Sequence, residues 1–486
     1  MTINSVQFKG NDKLLFGIIL GVLAFWLFAQ TTLNINVDMA KDLGMETSMM
    51  NIAVSITSLF SGIFIVVFGG LADKIGRVKI VKWGFYFSII GSLLVGITPV
   101  GAAAAPVLIT GRIFQGLSGA AIMSSSLALV KAYWEGAERQ RAISLWSMGS
   151  WGGSGFAALF GGLMVSIGWR YIFFGAAALS LIGLLMIKGT PESKAETTSN
   201  YKTDYAGVVT FMLSMIGLQL LISKGSEFGW TSPIGLVLIA VTLIFGFLFF
   251  KIENGKEGAF FDFKLFKNLT FTGATISNFM LNGTAGMLIV SLALLQVGGN
   301  LTAKEAGLLT LGYAISIVLF IRVGEKLLQR FGARKPMIWG SLIVGVAIIF
   351  LMFTNVMTGT YKILCMISYT LFGLGLAFYA TPSTDAALSN LPADQAGSGS
   401  GIYKMASSLG AAFGVAISAG VFATLKVGEN ITWMEGVITF VGRQDNVPIR
   451  EAATIALGVN LLMIVMAIIS IMITIPKSGG KLKKDK

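Results

Sequence analysis

The sequence predicts an all-α membrane protein of fourteen transmembrane helices, built as two parallel six-helix bundles with two further helices inserted between them. Three observations lead there. Of the 486 residues, 55% are hydrophobic and only 12% charged, about half the charged share of a soluble fold. The apolar residues fall in blocks that reach the roughly 20 residues a helix needs to cross the hydrocarbon core. Features of the first half recur at one nearly constant offset in the second. The mean hydropathy of +0.79 also excludes a disordered chain.

Segments in lipid must satisfy their own backbone polar groups, so the blocks are read as helices. The first, at 14–35, follows Lys9 and Lys13 and is too long for a signal-peptide core. Helices at 48–71 and 80–98 flank a loop carrying Lys74, Arg77, Lys79 and Lys82. Those at 104–130, 142–166 and 171–187 complete a first bundle over 1–188. The insertion, 189–268, holds a polar linker (189–204), helices at 205–222 and 233–250, and a following loop. The second bundle, 269–476, reads as helices at 270–296, 305–323, 337–354, 362–386, 402–425 and 451–475, before a basic tail at 477–486. With the N-terminus in the cytoplasm, most of the 36 lysines and arginines fall on that side, including Lys326, Arg330, Arg334 and Lys335. An even number of spans with both termini cytoplasmic fits that alternation. The net charge of +13 then belongs beside anionic headgroups and needs no nucleic acid.

The repeat is visible in two places. Leu71, Lys74, Gly76 and Lys79 recur 256 positions later as Leu327, Arg330, Gly332 and Lys335. A stripe of small residues in the fifth helix, Gly149, Gly153, Ala157 and Gly161, recurs 257 positions later as Ala406, Gly410, Gly414 and Ser418. Such stripes let helix backbones approach closely in lipid. Both halves start on the same side, so they are parallel repeats, and transport sites in such folds lie between the halves near the midplane.

At these residues the chain resembles the major facilitator superfamily. The loop Gly69 to Lys79 looks like its signature loop, and Arg112, Gln115 and Gly116 resemble its R-x-x-Q-G element, with Ser118 where a glycine is usual. Gly153, Ala157, Ala158, Gly161 and Gly162 resemble the antiporter signature, with Ala158 in place of its proline. Over nearly its whole length the chain is similar to the fourteen-span drug:proton antiporters of the QacA, NorB and NorC type, nearest the last two. The strings Phe25–Gln30, Ser147–Gly155, Arg322–Leu328, Ala380–Asp385 and Gly401–Ala406 carry the likeness. The resemblance implies a major facilitator fold and export of quinolones, dyes and antiseptics from a bacterial cytoplasm in exchange for protons. QacA-type pumps place an aspartate in helix 1, where this chain reads Phe28 to Asn34 without a carboxylate. That departure implies a preference for neutral or zwitterionic drugs.

A proton-coupled carrier needs a group that titrates as the halves rock. The chain has no histidine and 23 acidic residues, most of them in loops. An ionisable residue inside the membrane is costly and so reads as functional or paired. Asp385, at the inner end of helix 12 after Pro382, is the first candidate for the proton site; the alternative is a helix-end aspartate outside coupling. Glu325 follows Arg322 by three residues and reads either as a structural pair at the cytoplasmic gate or as a proton acceptor that breaks that pair. Arg112, inside helix 4 with Ser368 as its repeat counterpart, reads either as the cation tuning a carboxylate or as an anchor with Gln115. Glu305 and Glu451 begin helices and read as structural. Asp73, with Gly69, Gly76 and Arg77, is expected to act as a one-sided conformational latch, since Gln329 occupies its place in the second half. Gly153 and Gly161 are expected to take part in the helix contacts that rock.

Candidate drug contacts are Phe25, Trp26, Gln30 and Asn34 in helix 1, Gln115 in helix 4, Trp146 and Trp151 in helix 5, Asn278 and Asn282 in helix 9, and Tyr379 and Tyr403 in the second half. Multidrug sites join apolar and aromatic surface to a few polar groups. For each aromatic, packing against a neighbour or lipid is the competing reading.

Other classes lack their residues. Gly255-Lys256 is followed by Glu257 and Gly480-Lys481 by Leu482, so no nucleotide loop of the G-K-[ST] form occurs. Cys365 is the single cysteine, which leaves no disulfide framework or cysteine metal site. No cofactor and no metal are expected. The expected partners are small-molecule drugs, protons and the bilayer, with the protein working as a monomer. A carrier of one metabolite or lipid is the runner-up.

Overall fold

The computed structural model describes residues 8–45, 47–165, 167–194, 204–229, 231–256, 261–389, 391, 395–425, 434 and 437–477. Among them there is no strand, and the helices follow the expected series. In chain order they are α1 (12–43), α2 (Thr47–Ile75), α3 (Arg77–Gly96), α4 (Ala104–Tyr133), α5 (136–165), α6 (Arg170–Ile187), α7 (Tyr205–Phe228), α8 (Pro233–Glu253), α9 (Leu269–Gly298), α10 (303–331), α11 (Arg334–Met352), α12 (Thr358–Ser389), α13 (Ala396–Leu425) and α14 (Val447–Thr474). Twelve stretches of these are long and apolar enough to cross a membrane, which makes the chain a multi-pass membrane protein. The two that differ from the expected fourteen are α5 and α7. The first turns of α5 read Gly-Ala-Glu-Arg-Gln-Arg, and the apolar part of α7 is only Ala206–Leu218.

Local sequence explains the ends and the breaks. The Asn11 side chain caps α1 by accepting the Leu14 N–H at 2.9 Å. Within α1 the ladder widens to a π-turn over Ala24–Phe28 and tightens to a 3₁₀ turn over Ala29–Thr31. Such a change of ladder alters which carbonyls keep a regular helical partner. A second π-turn falls at Met148–Gly152 in α5 and a third at Leu294–Gly298 in α9. Gly76 joins α2 to α3 at φ 125°, a conformation open to glycine.

The small-residue stripes do the same job in both halves. On α5, a Cβ placed at Gly153 would meet Trp26 Cβ at 3.2 Å, and one at Gly161 would meet Thr31 Cγ2 at 2.5 Å, both on α1. On α13, Gly410 and Gly414 face the carbonyls of Phe279 and Gly283 so closely that neither has room for a Cβ. Thus α5 lies on α1 as α13 lies on α9. The inserted pair α7 and α8 pack on each other, and α7 touches both α2 and α13 at the seam between the halves. The outer face of α8 stays bare, with Leu243 and Phe247 each 66% exposed, as a lipid-facing surface would be.

Candidate functional site

The short hydrogen bonds between the halves gather at one end of the bundle, the end where α1 begins and where the basic loops lie. Asp73, the last acidic residue of α2, sits at its centre. Its Oδ1 accepts from Arg77 Nε at 3.0 Å and Nη2 at 2.8 Å, and from the Gly397 N–H at 2.9 Å. Its Oδ2 accepts the Ser398 N–H at 2.9 Å. Asp73 therefore caps the N-terminus of α13, where free N–H groups and the helix dipole favour an anion. Gly69, one turn earlier, lies so close to the Gly397 carbonyl that a side chain would push α2 off α13.

Two further contacts close this end. Lys131 Nζ of α4 donates to the carbonyls of Leu388, in the last turn of α12, and Leu391, just past its end, both at 2.5 Å. Arg139 of α5 lies 3.5 Å from Asp385 and donates to Ser389 Oγ at 2.7 Å. Asp385 is 7% exposed. It stands in the inter-half cluster at the basic end, not at the midplane. Glu325, 4% exposed, pairs with Arg322 at 2.5 Å and accepts from Gln329 Nε2 at 3.4 Å. Glu305 forms a capping box with Thr302, while Glu451 is the fifth residue of α14 and fully buried.

Arg112 is fully buried, and its guanidinium faces backbone. It donates to Ala29 O at 2.7 Å, Ala53 O at 3.1 Å and Val54 O at 3.4 Å, and to Gln115 Oε1 at 2.7 Å. The Ala29 carbonyl lies in the 3₁₀ turn of α1 and also accepts the Thr32 hydroxyl. No carboxylate among the described residues pairs with Arg112, so of the two readings the anchor is the one this geometry matches. Gln115 is engaged by Arg112 and, through its Nε2, by Ser92 Oγ at 3.2 Å.

The expected drug contacts separate into groups. Phe25 fills the notch at Gly119 of α4 and stacks edge-on with Trp26 at 5.3 Å. Trp26 Nε1 is buried without a hydrogen-bond partner. Gln30 is 9% exposed, and the side chain of Asn34 falls outside the described residues. Trp151 stands in the π-turn of α5, partly buried. In the second half, Asn282 Nδ2 donates to Asn278 Oδ1 at 2.9 Å, and Asn278 Nδ2 donates to Tyr403 O at 3.0 Å and Ser407 Oγ at 2.6 Å. The Tyr403 hydroxyl meets Ser383 Oγ at 2.9 Å, and that of Tyr379 meets Ser277 Oγ at 2.7 Å. The amides thus find the partners that burial in lipid demands.

Two residues outside the expected set join this arrangement. Lys404 of α13 reaches across the seam and places its Nζ 4.3 Å from the centroid of the Trp146 ring. A span starting at 402 reads this lysine as a helix-end charge, but α13 begins at Ala396, two turns earlier. Glu192, in the described start of the linker, accepts the N–H groups of Val78 at 2.8 Å and Lys79 at 3.0 Å and so caps α3. Only the polarity of that linker is visible in the sequence, not where it docks.

Residues 14–415 and 271–486 match the Major Facilitator Superfamily. The chain belongs to that superfamily. It is 45% identical over 475 residues, 97% of each chain, to the quinolone resistance protein NorB of Staphylococcus aureus strain MRSA252. NorB of strain COL gives the same identity and coverage. Among solved structures it is similar to the proton:xylose symporter XylE, with a TM-score of 0.65 at 15% identity over 96% of both chains. That likeness shows the major facilitator fold.

Proposed function

We propose that this chain is a proton-coupled multidrug efflux antiporter, exporting quinolones, dyes and antiseptics from the bacterial cytoplasm by alternating access. The observation that carries the reading is the 45% identity to NorB over 97% of both chains. It is a secondary transporter and not an enzyme. In this reading α5 and α7 complete fourteen spans, both termini are cytoplasmic, and the end closed by Asp73, Lys131 and Arg139 is the cytoplasmic gate. The structure is then the conformer shut toward the cytoplasm, and its reopening requires the Gly397 and Ser398 N–H groups to leave Asp73. Asp385 and Glu325 serve as the proton sites, Asp385 first because Arg139 holds it from the opposite half. Arg112 anchors α1 to α2 and α4 while the halves rock. The protein works as a monomer and needs no bound cofactor.

The test is drug export from proteoliposomes with and without a proton ionophore. A membrane potential supplies about 2.3 kcal/mol per charge for each 100 mV, so export against a drug gradient should require the proton gradient and stop when it is collapsed. Export that continues unchanged without the gradient overturns proton coupling. Export of a single metabolite or lipid, with no quinolone or dye among the substrates, favours the specific-carrier alternative.

A further inference from the structure

We propose that Lys404 is the recognition point for a negative group, a carboxylate, on the transported molecule. The proposal rests on the efflux reading for its transport consequences, not for its binding ones. Lys404 is 8% exposed in the wall between the halves. Its Nζ stands over the Trp146 ring at 4.3 Å and lies 5.8 Å from the Tyr403 ring. Among the described residues no hydrogen-bond acceptor and no carboxylate pairs with its ammonium.

An ammonium has three N–H donors, and a ring face stabilises its charge without engaging them in directional bonds. Burial therefore leaves Lys404 with unmet demand for an acceptor, and an anion entering the seam meets it. Arg112, a cation buried inside the first half, offers no such opening. Its donors are taken by the carbonyls of Ala29, Ala53 and Val54 and by Gln115. Lysine also differs as a point charge, indifferent to the orientation of its acceptor, which suits a site that takes varied drugs.

The ring beneath the ammonium is held in place. Trp146 is fully buried, and its indole N–H is fixed to Ser126 Oγ at 2.9 Å, so the ring face under Lys404 cannot turn away. One turn of α13 toward the basic end, Ser400 Oγ donates to Ser124 O at 3.0 Å and closes the seam. Lys404 lies seven residues past Gly397, about 10 Å along the helix from the Asp73 cap.

The test measures binding of norfloxacin and of its methyl ester to the purified full chain in nanodiscs, for wild type, Lys404→Met and Lys404→Arg. Wild type should bind the acid at least about tenfold more tightly than the ester. Lys404→Met should erase that gap with the ester's Kd unchanged, and Lys404→Arg should keep it. Lys404→Gln replaces Met where Met does not fold, and the acid–ester comparison on wild type needs no variant at all. No gap in wild type, a gap that survives Lys404→Met, or equal loss of both ligands overturns the proposal. In proteoliposomes Lys404→Met should still export the ester; loss of export of both would make Lys404 a coupling residue and overturn it as well. If wild type exports neither ligand, the efflux reading fails, while the binding gap still decides the role of Lys404.

Discussion

Replacing Asp73 by Asn changes the closed gate in a way the geometry quantifies. The ion pair with Arg77 lies within the first half and is present whether the gate is open or shut, so it does not bias the equilibrium. The bonds from Gly397 and Ser398 cross the seam, both at 2.9 Å, and exist only when it is shut. A bond to a charged acceptor contributes about 1.5–3 kcal/mol and a neutral one about 1 kcal/mol. Asn retains one neutral acceptor for Gly397 and turns an amide NH₂ toward the Ser398 N–H. The closed conformer loses about 3 kcal/mol, a roughly hundredfold shift in population. Nitroxide labels at Lys79 and Lys326, both exposed, report the separation of the halves by pulsed electron spin resonance, and the native Cys365 is buried away from the label. Asp73→Asn should move the distribution toward an open basic end and slow drug turnover, with drug affinity changed less than tenfold. An unaltered distance distribution would refute the assignment of Asp73 to the closed state.

Other outcomes follow from the same structure. Gly414→Val forces a side chain into the Gly283 backbone and should cost about 1–3 kcal/mol, read as a lowered Tm. Gly420→Ala on the same helix meets nothing within 4 Å and should be neutral or slightly stabilising. Asp385→Asn should abolish proton-driven export in proteoliposomes and leave drug binding intact; retained proton-driven exchange removes it from coupling. At the base of the insertion, burial raises the Asp204 carboxyl, but hydrogen bonds with Glu253, Lys256 and the Gly207 N–H outweigh it and hold it at about 2. A depressed carboxyl stabilises the fold above its unfolded range, near 3.9, and that contribution fades as pH falls toward 2. The Tm difference between wild type and Asp204→Asn should therefore be constant between about pH 5 and pH 7 and shrink between about pH 4 and pH 2.

Much of the architecture is legible in the chain because it depends on quantities local to each segment. Hydropathy over 20 residues locates helices, and spacing of four between small residues marks Gly149 to Gly161 and Ala406 to Ser418 as close-contact faces. What the residue pattern does not contain is the rotation of each helix about its axis. Asp73 is readable as a charge near a helix end, but the end it caps belongs to α13, 324 positions away. Arg112 reads as an intramembrane cation in search of an acid; its actual partners are Gln115 and backbone carbonyls, one of them in the 3₁₀ turn of α1, which hydropathy does not register. Lys404 escapes notice because its helix begins two turns before its apolar run.

The sequence by itself determined that this is a membrane protein of repeated halves, where its helices run, and which superfamily it belongs to. The first two follow from transfer free energies and periodicities summed along the chain, the last from the resemblance of its motifs to those of the superfamily. Only the tertiary structure decided which donor meets which acceptor across the seam: Asp73 with α13, Lys131 and Arg139 with the end of α12, and Lys404 with Trp146. Each of these joins side chains more than 240 positions apart, and a hydrogen bond or ring contact exists only within a few ångströms. That proximity is set by how two bundles dock, which no single segment encodes.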